Sequence, residues 1–159
     1  MDKEITGYIK TEAIVSAAFN FFINGMLAAL IHHKADTVAT DTISIAIDLT
    51  ATCMGTCIIN ALFSKASVRR TKTAGILEPG SRMIRFLGRL FRRPALFGVF
   101  TGFIAAVVFF IPTALIFMLP GIMSIPFGVY ILLKCVFAAL IGGGITALEI
   151  YAGMCKTDR

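Results

Sequence analysis

The sequence predicts an all-α, polytopic membrane fold: four transmembrane helices arranged as two hairpins, joined by a basic amphipathic interfacial helix. Three observations predict it. Of 159 residues, 57% are hydrophobic and 15% are charged, against roughly 45–50% and about 25% in soluble domains. The charges fall in blocks between long apolar runs. Four of those runs reach the ~20 residues a helix needs to cross the hydrocarbon core. In water such a chain would expose far more apolar surface than soluble proteins carry.

Taken in order, the spans run from about 12–31, 43–63, 94–119 and 126–154, within a single membrane domain covering residues 1–159. Pro94 and Pro126 suit the first turn of a helix, where a missing N–H costs nothing. Pro120-Gly121 supplies a stop and turn after the third span. Pro112, inside that span, is expected to kink it and free the carbonyl of Val108. The apolar run after residue 12 is too long for a signal-peptide core, so it is expected to remain as an anchor. Neither end carries a lipidation signal.

Lys and Arg counts in short loops set orientation. The segment between spans two and three holds Lys65, Arg69, Arg70, Lys72, Arg82, Arg85, Arg89, Arg92 and Arg93, whereas the loop after span one holds only Lys34 and residues 120–125 hold no basic residue. Lys3, Lys10, Lys156 and Arg159 add positive charge at the termini. The middle segment and both termini are therefore expected on the cytoplasmic side of a plasma or inner membrane. Residues 65–80 read as a loop. Residues 81–93 read as a helix capped by Ser81, amphipathic through its basic residues Arg82, Arg85, Arg89, Arg92 and Arg93 and its apolar residues Met83, Ile84, Phe86, Leu87, Leu90 and Phe91. That pattern fits a helix lying on the inner leaflet against anionic headgroups. The net charge of +6 belongs to this topology, so no nucleic-acid partner is expected.

A shift that carries Ala13 onto Ala95, Phe21 onto Phe103 and Cys53 onto Cys135 also superposes the two hairpins. It suggests a parallel repeat.

Polar residues inside the spans need a reason, because a charge at mid-membrane costs ~2.5–3.5 kcal/mol on insertion scales. Glu12, Ser16, Asn20 and Asn24 recur every four residues in span one; Ser44, Asp48, Thr52, Thr56 and Asn60 do so in span two. Each stripe keeps to roughly one helix face. With antiparallel helices, Asn24 falls level with Asp48 and Thr52, Asn20 with Thr56, and Ser16 with Asn60, so a ladder is expected to close the first hairpin. Lys134 in span four lies at the depth of Asp48, and an ion pair between them would relieve two desolvation penalties. Glu149 lies towards the cytoplasmic side and is expected either to face an inner cavity or, the more common outcome, to pair at the surface with Lys10 or a nearby arginine. The candidate network is thus Asn20, Asn24, Asp48, Thr52, Thr56, Asn60, Lys134 and Glu149. Gly98 and Gly102, and Gly142-Gly143-Gly144, are expected to admit close helix packing.

His32-His33 with Asp36 and Asp41 has poor metal-ligand spacing. Cys53, Cys57, Cys135 and Cys155 imply no disulfide framework. No phosphate loop, nucleophile elbow or metalloprotease motif is present. No cofactor, metal site or enzymatic activity is expected. The expected function is a subunit of an oligomeric small-solute or ion transporter or channel. The alternative is a non-catalytic assembly or regulatory subunit of a larger membrane complex. A lipid-modifying enzyme ranks last, because Glu12, Asp48, Glu149 and the histidines fall at different depths.

Overall fold

Helix α1 covers Lys3–Ile31, a longer span than its apolar run alone predicts. Ile5, Tyr8 and Ile9 repeat at helical spacing and pack on Val68, Ile150 and Met154, so a buried stripe continues past the polar residues Lys3, Glu4 and Lys10. Helix α2 runs Thr42–Arg70 and is likewise extended, since Val68 is buried in the same cluster. The expected loop from residue 65 therefore begins after Arg70. Helix α3 spans Arg82–Phe91, with the Ser81 hydroxyl accepting from the Ile84 N–H as a cap. Helix α4 spans Pro94–Met118 and continues through Pro112. Helix α5 spans Phe127–Met154.

The computed structural model describes residues 3–33, 35–118 and 121–156. Lys34, Leu119, Pro120 and Arg159, used above for charge and loop boundaries, lie outside the described residues. Within them the fold is all-α with five helices. Four, α1, α2, α4 and α5, are long and apolar enough to cross a membrane. At 29 residues, α1 and α2 exceed what the hydrocarbon requires. Such helices project beyond it or tilt.

Two three-residue strands join the loops at the end opposite the arginines. Strand β1 (Thr37–Ala39) pairs antiparallel with β2 (Ser124–Pro126), with Val38 facing Ile125. Both of these β-branched residues are buried. The Thr40 N–H donates to the Met123 carbonyl at 2.9 Å, and the Thr40 hydroxyl to the Ile122 carbonyl at 2.7 Å. The ribbon satisfies backbone groups that short apolar loops would leave open. Asp41 then caps α2 by accepting from the Ile43 and Ser44 N–H groups. The Ser44 hydroxyl donates to Asp41 and holds its carboxyl below the usual range.

The packing differs from two closed hairpins. Helix α1 lies chiefly along α5, and α2 lies between α4 and α5, while α1 and α2 touch sparsely. The order across the bundle is α1–α5–α2–α4. Small residues explain it. A Cβ on Gly98 would strike the backbone of Ile58, and one on Gly102 would crowd Met54. A Cβ on Gly142 would strike the Asn20 side chain, and one on Gly143 would meet Ala13 and Ala17. The close approaches thus pair each half with the other: α4 on α2, and α1 on α5. A parallel two-fold relation between halves maps these two contacts onto each other and leaves α2 beside α5. Helix α3 covers the basic end, with Leu87 and Phe91 buried against Ala61, Phe97 and Ala152.

Candidate functional site: a polar seam along α1, α2 and α5

Helix α2 presents Asp48, Thr52, Thr56, Asn60 and Ser64 one turn apart, all toward its neighbours. From Asp48 to Ser64 this is about 24 Å of helix at ~1.5 Å per residue, most of a hydrocarbon core about 30 Å thick.

At the ribbon end, Lys134 Nζ donates to Asp48 Oδ1. Asp48 Oδ1 also accepts from the Tyr130 hydroxyl at 3.0 Å, and Lys134 reaches the same hydroxyl at 3.3 Å. Tyr130 and Lys134 lie one turn apart on α5, so one face carries both. The Tyr130 ring meets His32 edge-on at 5.1 Å. The Lys134 side chain is 12% exposed and that of Asp48 36%, so the carboxylate is the more open partner.

One turn further along α2, Thr52 and Thr56 are buried. Among the described residues, Thr56 Oγ1 has no hydrogen-bond partner. Asn60 then forms the centre of the seam. Its Oδ1 accepts from Asn20 Nδ2 at 3.1 Å, and its Nδ2 donates to the Gly142 carbonyl at 3.2 Å. Ser16 donates to the same carbonyl at 3.2 Å and accepts from the Thr146 hydroxyl at 2.8 Å. Asn24 donates to the Asn20 carbonyl within α1 at 3.1 Å. Three helices therefore meet at one set of polar groups.

Towards the basic end, Ser64 donates to Glu149 Oε2 at 2.7 Å. Glu149 is wholly buried, and its Oε1 has no hydrogen-bond partner among the described residues. Beyond it, Ser67 donates to Glu12 Oε1 at 2.9 Å and lies 2.6 Å from the Tyr8 hydroxyl. Carboxyl groups thus occur at three levels: Asp48, Glu149 and Glu12.

Three expectations change here. Asn20 meets Asn60 rather than Thr56, a displacement of one helical turn. The ladder is not closed by α1 and α2 alone, because α5 supplies Gly142, Thr146 and Glu149. Nor does Glu149 pair at the surface with Lys10 or an arginine; it is sealed between α5 and α2. Its position on α5 one turn past Thr146 places it on the face turned inward. Tyr130, Thr146, Ser64, Ser67 and Tyr8 were not among the sequence candidates. A period-four search on span four would have found the first two, since Tyr130, Lys134, Gly142 and Thr146 share that spacing.

Arg82, Arg85 and Arg89 are exposed on α3, while Arg92 and Arg93 are exposed at the corner into α4. Cys53 and Cys57 pack with Ala105, Ala106 and Ile141 as small apolar groups. Among the described residues, no group of three or more His, Cys, Asp and Glu side chains is placed to hold a metal ion. Comparison with known proteins finds no matching family model, no matching curated protein and no matching solved structure.

Proposed function

We propose that this protein is a non-enzymatic membrane subunit that moves an ion or small polar solute along the α1–α2–α5 seam. One observation carries the reading: polar side chains follow one another from Asp48 to Glu12, half-buried at those two ends and buried from Thr52 to Glu149 between them, through helices otherwise faced with apolar residues. Packing alone is a poor reason for so many, since such contacts average only ~0.6 kcal/mol each in measured membrane cases. A wholly buried carboxyl with one oxygen unpartnered is costly unless it has work to do. Thr56 Oγ1 and Glu149 Oε1 are free to coordinate a passing cation, a proton-bearing water or a solute hydroxyl. Asp48 and Lys134 close the ribbon end, because their ion pair neutralises the carboxylate that would first attract a cation.

In this reading the basic end faces the cytoplasm of a plasma or inner membrane. Helix α3 lies in the inner leaflet, its exposed Met83 and Phe86 among acyl chains and Arg82, Arg85 and Arg89 among anionic headgroups. Four helices seldom enclose a route alone, so the working unit is a homo-oligomer. An assembly role is favoured by Gly144, exposed on α5 with nothing near its would-be Cβ, which leaves room for a close partner helix.

Flux into proteoliposomes tests the reading. Proton, sodium and potassium gradients are imposed in turn, with an internal pH dye and tracer cations as readouts. At least one gradient should collapse faster in loaded vesicles than in empty ones, and Asp48→Asn should change that rate. Equal rates in loaded and empty vesicles for all three cations would reject ion transport. A rate unchanged by Asp48→Asn would remove Asp48 from the route.

A further inference from the structure

Given the transport reading, on which this inference rests, the packing of the seam selects the ion. Thr52, Thr56, Asn60, Ser64, Thr146 and Glu149 are each at most 6% exposed. A metal cation must exchange its water for a shell of oxygens, and the oxygens at the middle of the seam are already engaged. The Gly142 carbonyl accepts from both Ser16 and Asn60, which uses its two lone pairs. Asn60 Oδ1 accepts from Asn20. The two unpartnered oxygens, Thr56 Oγ1 and Glu149 Oε1, do not share a level. Ser64, which meets Glu149, stands two turns beyond Thr56, about 12 Å along α2. Oxygens so far apart cannot belong to one metal shell. A proton needs one lone pair and no room. We propose that the ion carried by the seam is the proton, and that Glu149 and Glu12 are the two carboxyls that pass it at the basic end.

The two carboxyls are held from adjacent turns of one helix. Ser64 donates to Glu149 Oε2 at 2.7 Å, and Ser67 donates to Glu12 Oε1 at 2.9 Å. Residues three apart are neighbours on a helix surface, so an acid from α5 and an acid from α1 come to the same side of α2. Tyr8, one turn before Glu12 on α1, lies 2.6 Å from the Ser67 hydroxyl. The two acids differ in access, Glu12 being half-buried and Glu149 wholly buried. Glu12 therefore meets water, and Glu149 is reached through it. Among the described residues no cation pairs with Glu149. On α2, the Cys57 thiol lies within electrostatic reach of it, while Lys65, next after Ser64, turns out to the Arg92 carbonyl. Glu12 and Tyr8 come from α1, and α3 and α4 close this end with Leu87, Phe91 and Phe97. A bare carboxylate in such a place is costly unless a cation meets it, and the proton is the cation that fits.

One water passing between the two acids completes the transfer. The Glu12 O–H bond breaks as its proton moves to that water, and one of the water's own protons bonds to Glu149 Oε1. Glu12 is left a carboxylate, Glu149 becomes the acid and the water is regenerated, so charge and atoms balance. Ser64 and Ser67 are positioning residues, since they aim the two acids without holding the proton.

Ion selectivity in proteoliposomes of the full chain tests the assignment. An internal dye follows an imposed proton gradient with the membrane potential clamped, and tracers follow sodium and potassium in parallel vesicles. The proton gradient should collapse faster than in empty vesicles, while both tracers enter no faster. Glu149→Gln and Glu12→Gln should each slow proton flux at least about tenfold, and Glu149→Asp, which keeps a carboxyl, should restore part of it. Glu78→Gln, at an exposed surface pair with Lys156, should leave the rate unchanged. Thermal unfolding checks each variant, and Glu12→Gln, at the half-buried position, carries the test if Glu149→Gln does not fold. Sodium or potassium flux without proton flux overturns the proton assignment and leaves the transport reading standing. No flux of any of the three overturns both. Proton flux undiminished in a folded Glu149→Gln or Glu12→Gln protein overturns the relay.

Discussion

At the residue scale, the most informative contact joins Asp48 to Lys134. Both depths were legible in the sequence, because each residue can be counted from its helix end and each charge needs a partner in lipid. Tyr130, which completes the triad, was missed although it stands one turn from Lys134, because an aromatic near a span end reads equally well as a membrane-interface residue. Removing one charge leaves the other desolvated. Lys134→Ala is expected to lower stability in detergent by up to about 3 kcal/mol, since breaking a buried pair costs more than the pair is worth. Lys134→Ala with Asp48→Ala should recover part of that loss. Thermal unfolding of the three variants checks it, and a double variant no more stable than Lys134→Ala would show that the pair carries no coupling. Glu149 was misjudged for a different reason. Its nearness to the C-terminal end suggested a surface, but α2 runs on past the apolar stretch and Ser64 meets it in the interior.

At the element scale, the sequence located the four long helices well and their partners poorly. Length and hydropathy are local properties. Pairing is decided by where backbones can approach, and that depends on two surfaces at once. The glycines were visible, yet nothing in the chain said that Gly98 would meet α2 or that Gly142 would meet α1. They now make a sharp prediction. Gly98→Ala places a methyl against the backbone of Ile58, which cannot retreat as a flexible side chain would. It should cost ~1–3 kcal/mol, the usual range for overpacking. Gly144→Ala meets nothing within 4 Å and should be neutral or stabilise α5 by up to about 1 kcal/mol through helix propensity. Unfolding temperatures in one detergent measure both. A Gly98→Ala protein as stable as wild type would contradict the α2–α4 packing. The strands β1 and β2 escaped notice because three residues are too few for periodicity to register.

At the scale of the whole molecule, the order α1–α5–α2–α4 places the two halves through each other rather than side by side. The central pair, α2 and α5, carries the seam together with α1, which adds Ser16, Asn20 and Glu12, while α4 packs on α2. The internal similarity read from Ala13, Phe21 and Cys53 against Ala95, Phe103 and Cys135 accords with this order. It could not have revealed it, because side-by-side and exchanged hairpins share one sequence pattern. The polar stripe on α2 was legible as a period of four from Asp48 to Asn60, one turn short of Ser64. Its destination was not, since the groups that meet it come from a helix distant in sequence. The account rests on that seam being a route as well as a joint. Glu149→Gln separates the two roles, for a Gln carbonyl can still accept from Ser64 while the carboxyl group is gone. The decisive measurement is cation flux into proteoliposomes for wild type and Glu149→Gln at matched protein content. The account predicts an unfolding temperature near that of wild type with flux reduced at least about tenfold, equivalent to ~1.4 kcal/mol in the barrier. Flux equal to that of wild type in an equally stable Glu149→Gln protein would contradict it.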